Sequence, residues 1–177
     1  MWRNWFRRRP EKAIGKALYL ALVQAARQPA LYGEAGVPDT LEGRLELILL
    51  HTALAIRILR RDGGEAGRAV SQIAFDTMFE DFDIAMRELG VGDSGVGKKV
   101  RFMAEGFYGR SQSYASALDD ADPAALELAL SRNLLAADSV DPRAAALARY
   151  VRTVVAALDE TGGVALAQGE LPALLAP

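Results

Sequence analysis

Residues 75–110, FDTMFEDFDIAMRELGVGDSGVGKKVRFMAEGFYGR, constrain this chain more than any other stretch, because they set two long helical patterns about a glycine-rich turn. Before the turn, Phe75, Met78, Phe79, Phe82, Met86 and Leu89 recur at steps of three and four, the spacing that lines one face of a helix. Gly90 or Gly92 then stops that helix, and Asp93 or Ser94 caps the next. The turn also imitates a phosphate-binding loop. GDSGVGK, residues 92–98, fits GxxxxGK, but Lys99 stands where a Ser or Thr hydroxyl would meet magnesium, and an ammonium there repels the metal. A phosphate loop also leaves a buried strand, whereas here a helical pattern precedes it. The turn therefore reads as a helix-to-helix connection.

The rest of the chain is helical as well. Glu11 to about Arg27 forms a first helix, ended by the loop QPALYGEAGVPDT with its two prolines and two glycines. Asp39 with Glu42 resembles a capping box opening a second helix, which Arg60, Arg61, Gly63 and Gly64 close. That helix is apolar on two sides. Leu41, Leu45, Ile48, Ile56 and Leu59 make one stripe, and Leu47, Leu54 and Ile58 make another beside Arg44 and His51. Such a helix is central or covered by a partner. Further helices are expected over about 65–89 and 95–118. Asp122-Pro123 and Asp141-Pro142 each announce another, with proline at the position whose amide is dispensable. The expectation is an all-α fold, a single compact bundle-like domain of about six or seven helices. It comprises a basic aromatic arm over 1–10, a helical body over 11–162 and a tail over 163–177.

Composition narrows the chemistry. The absence of cysteine removes disulfides and thiolate catalysis, and one histidine, His51, removes multi-histidine metal centres. No apolar run approaches the roughly 20 residues of a membrane span. Charge is polarised: Arg3, Arg7, Arg8, Arg9, Lys12 and Lys16 face only Glu11 in the first sixteen residues, a balance of +5 that leaves −7 for the remainder of a chain with net charge −2. Trp2, Trp5 and Phe6 interleave with these cations, a mixture suited to an anionic lipid surface or to RNA. Trp2, Trp5, Arg7, Arg8 and Arg9 are the expected membrane or ribosome contacts. No secretory or mitochondrial leader pattern is recognised in this segment, so the expected location is the bacterial cytoplasm, extending to the cytoplasmic face of the inner membrane.

Asp76, Glu80 and Asp83 share one helix face with Arg87 at its end. Without histidines at di-iron spacing, this stripe reads as a solvated face or a docking surface for a basic partner. His51 has neither a nucleophile nor an orienting acid at a recognisable spacing. Phe107, Tyr108 and Tyr114 are expected to face the third helix, with Arg110 paired to a carboxylate. No nucleophile-base arrangement emerges, so the chain reads as a binding protein without cofactor, not an enzyme.

The segments LYGEAGVPDTLEGRLELILLHTAL, FDTMFEDFDIAMRELGVGDSGVGKKV, FYGRSQSYASAL and LSRNL occur in an order that resembles the ubiquinol-cytochrome c chaperone family, over about residues 31–134. The family-like positions are Tyr32, Gly36, Pro38, Asp39, Thr40, Gly43, Arg44 and His51 in the first segment. In the later ones they are Phe75, Asp76, Phe79, Asp81, Asp83, Arg87, Gly90, Gly92, Asp93, Lys98, Lys99, Phe107, Tyr108, Gly109, Arg110, Tyr114, Arg132 and Asn133. The resemblance implies an all-helical assembly factor of the cytochrome bc complex that binds newly made cytochrome b. It also implies a small partner subunit, the ribosome and no DNA as partners. Client or partner contacts are expected from Arg44, Leu47, His51, Leu54, Asp76, Asp83, Arg87, Phe107, Tyr108, Arg110 and Tyr114. The face holding Leu47, His51 and Leu54 would receive a client helix between Arg44 and Arg110. The alternative is a ribosome- or RNA-associated helical module acting through the basic arm.

Overall fold

The computed structural model describes residues 3–88, 90 and 93–175, with side chains from residue 10 onward except over 93–102. Six α-helices run in sequence: α1 (Arg3–Ala26), α2 (Leu41–Asp62), α3 (Gly64–Glu88), α4 (Asp93–Asp119), α5 (Pro123–Leu134) and α6 (Ala144–Ala167). One 3₁₀ turn, Pro29–Leu31, precedes α2. Among the described residues there is no strand, only an isolated bridge between Tyr32 and Val37. Among the described residues no helix is long and apolar enough to cross a membrane.

Helix α2 is the axis of the bundle. Thirteen of its 22 residues are buried, which two apolar stripes require, and α1, α3, α4, α5 and α6 all pack against it. Leu47, Ile58 and Leu59 are fully withdrawn from water, each stabilising the fold by roughly 2 kcal/mol of transfer free energy. The helix starts one residue later than the sequence suggests. Thr40, not Asp39, is the N-cap, its hydroxyl accepting from the Gly43 amide at 3.1 Å, while Asp39 turns outward to pair with Arg44 at 2.7 Å. The hydroxyl at the junction reaches the free amide directly, which leaves the longer carboxylate for the cation.

Other boundaries also move. Helix α1 begins at Arg3 instead of Glu11, continuing through Pro10, so residues 3–10 share one helix with the body. Trp2 lies outside the described residues, as do the side chains of Trp5, Arg7, Arg8 and Arg9, and those of Lys98 and Lys99. Helix α6 begins at Ala144, because Asp141 spends its carboxylate on the amide and guanidinium of Arg143. It continues past Gly162, where φ 75° and ψ 153° kink it, to Ala167. The α3–α4 connection is a turn with Gly90 at φ 81°, its amide donating to Arg87 O at 2.9 Å; Leu89 and Gly92 lie outside the described residues. A helix, not a strand, enters this turn.

The kink in α6 serves a close approach. A Cβ on Gly163 would stand 2.6 Å from both the Gly63 amide nitrogen and the Ile58 carbonyl oxygen, so α6 meets the end of α2 backbone to backbone. A side chain can be accommodated there only by moving one helix. Gly163→Ala is expected to cost about 2–3 kcal/mol in a urea unfolding curve, whereas Val164→Ala, at an exposed neighbour, should change the midpoint little.

Candidate functional site

Three side-chain clusters hold many of the motif residues. The first is aromatic and joins α3 to α4. Phe75 meets Phe79, Phe107 and Tyr108 with ring centroids 4.7, 5.2 and 5.7 Å away, in tilted or edge geometries that suit the ring quadrupoles. Phe79, Phe82 and Phe107 are buried, but Tyr108 remains 55% exposed. The helical repeat explains the difference: Phe107 points inward, and the next residue, turned by about 100°, lies at the rim.

The second cluster joins α4 to α2. Arg110 grips Glu46 with two parallel hydrogen bonds, Nε to Oε2 at 2.7 Å and Nη2 to Oε1 at 2.6 Å. This fork is a half-buried ion pair with geometric specificity, and the paired carboxylate holds the guanidinium pKa above its usual value. Gly106 makes room, since a Cβ there would sit 2.7 Å from Arg110 Nη1. Tyr114, one turn further along α4, is 1% exposed, and burial pushes its phenol up.

The third cluster closes the loop before α2. Tyr32 donates to Ala26 O at 2.6 Å, and the Gly33 amide donates to Val37 O at 3.1 Å. Gly36 lies against Leu31 O and Gly43 against Pro38 O so closely that no Cβ fits at either position. Arg143, the N-cap residue of α6, then reaches across to Gly36 O at 3.3 Å. The same guanidinium pulls the Asp141 carboxyl down to about 2. The LYGEAGVPDT motif thus folds as a latch between α1, α2 and α6.

His51 sits within the core. Its Nδ1 lies 2.7 Å from Leu47 O, which can only accept, so Nδ1 carries the proton and Nε2 accepts from the Tyr150 hydroxyl at 2.7 Å. Burial lowers its pKa from 6.5 to about 4, partly opposed by the bond to Leu47. The ring is a neutral tie between α2 and α6.

These positions correct the expected docking face. Leu47, His51 and Leu54 are all buried, at 0%, 0% and 2% exposure, so they offer a client helix no surface in this conformation. The second apolar side of α2 is covered by the protein's own α6 and neighbouring helices. Arg44 and Arg110, the expected rim, are engaged by Asp39 and Glu46. Phe107 faces α3 as expected and Tyr108 flanks it, but the surroundings that act on the Tyr114 phenol are Glu46, Arg110 and Asn133, on α2, α4 and α5. Asp76 accepts from Gln72 at 2.7 Å, and Asp83 pairs with Arg87 at 2.6 Å. Among the described residues no group of three histidines, cysteines or carboxylates could hold a metal ion. Glu46 and Tyr150 escaped the sequence reading because nothing local marks a partner 64 or 99 residues away.

The sequence profile of the ubiquinol-cytochrome C chaperone family matches residues 33–174, most of the chain. The chain belongs to this family. The Xenopus laevis protein named ubiquinol-cytochrome-c reductase complex assembly factor 1 is 27% identical over 153 residues, covering 86% of this chain and 76% of its own length. The crystal structure of the Cbp3 homolog from Brucella abortus superposes with a TM-score of 0.82 at 38% identity, over 97% of this chain and 95% of that one. The family resemblance extends beyond residue 134 into α6, which agrees with the structure: α6 and its N-cap supply Tyr150, Arg143 and the glycine contact with α2.

Because His51 stays neutral in the folded state until the pH nears 4, while the unfolded imidazole protonates near 6.5, its contribution is complete above pH 6.5 and is lost as the pH falls towards 4. Chemical denaturation at pH 7.5 and pH 4 should differ by about 3 kcal/mol from this residue. In His51→Gln, which cannot titrate, that part of the pH dependence should vanish.

Proposed function

We propose that this protein is an assembly chaperone of ubiquinol-cytochrome c reductase, and that it holds unassembled cytochrome b by non-catalytic binding. The observation that carries this reading is the family match over residues 33–174, supported by the names of the Xenopus and Brucella relatives. We place the client contact on the α3–α4 flank at Tyr108, not on the buried face of α2. Tyr108 is exposed, yet its ring is held by Phe75 and Phe107. A rigid, half-exposed tyrosine loses little entropy on binding and supplies both apolar area and a hydroxyl, the properties of an interface anchor.

In a strain lacking the protein, cytochrome b and reductase activity should both fall, and the wild-type gene should restore them. Tyr108→Ala should fold with an unchanged melting temperature but restore less than a third of the activity. Normal reductase in the deletion strain would overturn the assembly role; full rescue by Tyr108→Ala would overturn only the placement.

We also infer that the cationic first turns of α1 bring the chaperone to the anionic surface beside its membrane client. The motivating feature is the +5 balance of residues 1–16, interleaved with Trp2, Trp5 and Phe6; each lysine or arginine near such a surface contributes roughly 1 kcal/mol. The full chain should float with vesicles containing phosphatidylglycerol at low salt, and the triple variant Arg7→Ala, Arg8→Ala, Arg9→Ala should not. Salt-sensitive binding to RNA, with no flotation, would favour the ribosome-associated alternative.

A further inference from the structure

A groove of about 810 Å³ runs between α1 and the first two-thirds of α3. Its walls carry opposite charge. The α1 wall carries Lys12 and Lys16, one turn apart, beside Glu11, and the α3 wall carries Glu65, Asp76 and Glu80, so the first is net cationic and the second anionic. Among the described residues no ion pair joins the walls, and neither lysine pairs elsewhere. Between them the floor is small and apolar, formed by Ala66, Ala69 and Ile73. The two helices meet beside the groove at Gly15, where a Cβ would lie 2.6 Å from Ile73 Cγ2.

Both walls end in exposed hydrophobic side chains. Leu20, one turn beyond Lys16, is 62% exposed, and Ile84, one turn beyond Glu80, is 55% exposed. The Tyr19 hydroxyl bond to Asp81, 2.7 Å, holds α1 and α3 together at this level, so the two residues flank one end of the groove. From Glu65 to Ile84 the α3 wall is about 28 Å long at 1.5 Å per residue, far longer than a small molecule and equal to about five helical turns. Small floor residues allow a helix axis to approach to the usual 8–10 Å. Rows of unlike charge on either side of an apolar seam are the arrangement by which packed helices select partner and direction.

We propose that this groove docks one amphipathic helix of a partner protein. The helix lays a cationic row along Asp76 and Glu80, an acidic row along Lys12 and Lys16, and an apolar edge over Ile73 between Leu20 and Ile84. The charges on this chain specify that pattern, because each wall lacks a counter-ion that the helix would bring. Ile73 and Phe75, two residues apart, lie on opposite flanks of α3. The groove is therefore separate from the Tyr108 face, and the chaperone can hold a client and this second partner together.

The test is to place p-benzoyl-phenylalanine at Ala69 in the full chain, irradiate cells that produce it, and sequence the crosslinked peptide by mass spectrometry. The expected product is a different protein, joined through a helical segment with separated cationic and anionic rows. Asp76→Lys with Glu80→Lys should reduce the adduct at least tenfold, and Lys12→Glu with Lys16→Glu should do the same independently. Adducts from a second probe at Tyr108 should be unchanged in both variants, which shows that the protein is folded. The proposal is overturned by the absence of an adduct at Ala69, or by one that joins a second copy of this chain, lipid or nucleic acid. A protein adduct that survives both charge reversals overturns it equally.

Discussion

The removal of the middle of α2, residues 47–56, from water on all its sides is the constraint that organises this protein. An isolated helix with two apolar stripes would expose both, and one flanking layer could cover only one of them. Covering both takes helices from before and after α2 in the sequence, and the burial of Leu47, His51, Leu54 and Ile58 shows the cover to be closed. His51 is tolerated there because both ring nitrogens are satisfied, by Leu47 O and the Tyr150 hydroxyl. The late glycines of α6 belong to the same solution: without Gly163 the last helix could not reach the end of α2.

With α2 closed, the exposed side chains of the molecule lie on the outer helices. Many of the motif residues that the family resemblance singles out prove to be framework. Arg110 ties α4 to Glu46, Gly36 and Gly43 let the loop pack against its own carbonyls, and Tyr32 anchors that loop to α1. Tyr108 differs from these, since the framework holds its ring while leaving the outer side open. Helix α3 then has two distinct flanks, one aromatic beside α4 and one charged beside α1.

Helix number and type were legible in the sequence because long amphipathic periods and Gly, Pro and Asp punctuation are local signals. Asp122-Pro123 opens α5 as written, with Asp122 accepting from the Ala124 amide. The α3–α4 turn and the rejection of a phosphate loop followed from the same local grammar. Errors arose where two local signals competed. Asp39 and Thr40 could each cap α2, and Asp141 could either open a helix or bind Arg143; the choice depended on where the cations lay in three dimensions.

The sequence by itself determined an all-helical chain, its six long elements, its family and the existence of an unusually apolar second helix. Only the tertiary structure decided that both of its apolar sides are core. A stripe of leucines looks the same whether its own chain or another protein covers it, since the transfer free energy depends on the area removed from water and not on the source of the cover. The packing of α6 settled that question for Leu47 and Leu54. The same packing left Tyr108, Leu20 and Ile84 exposed.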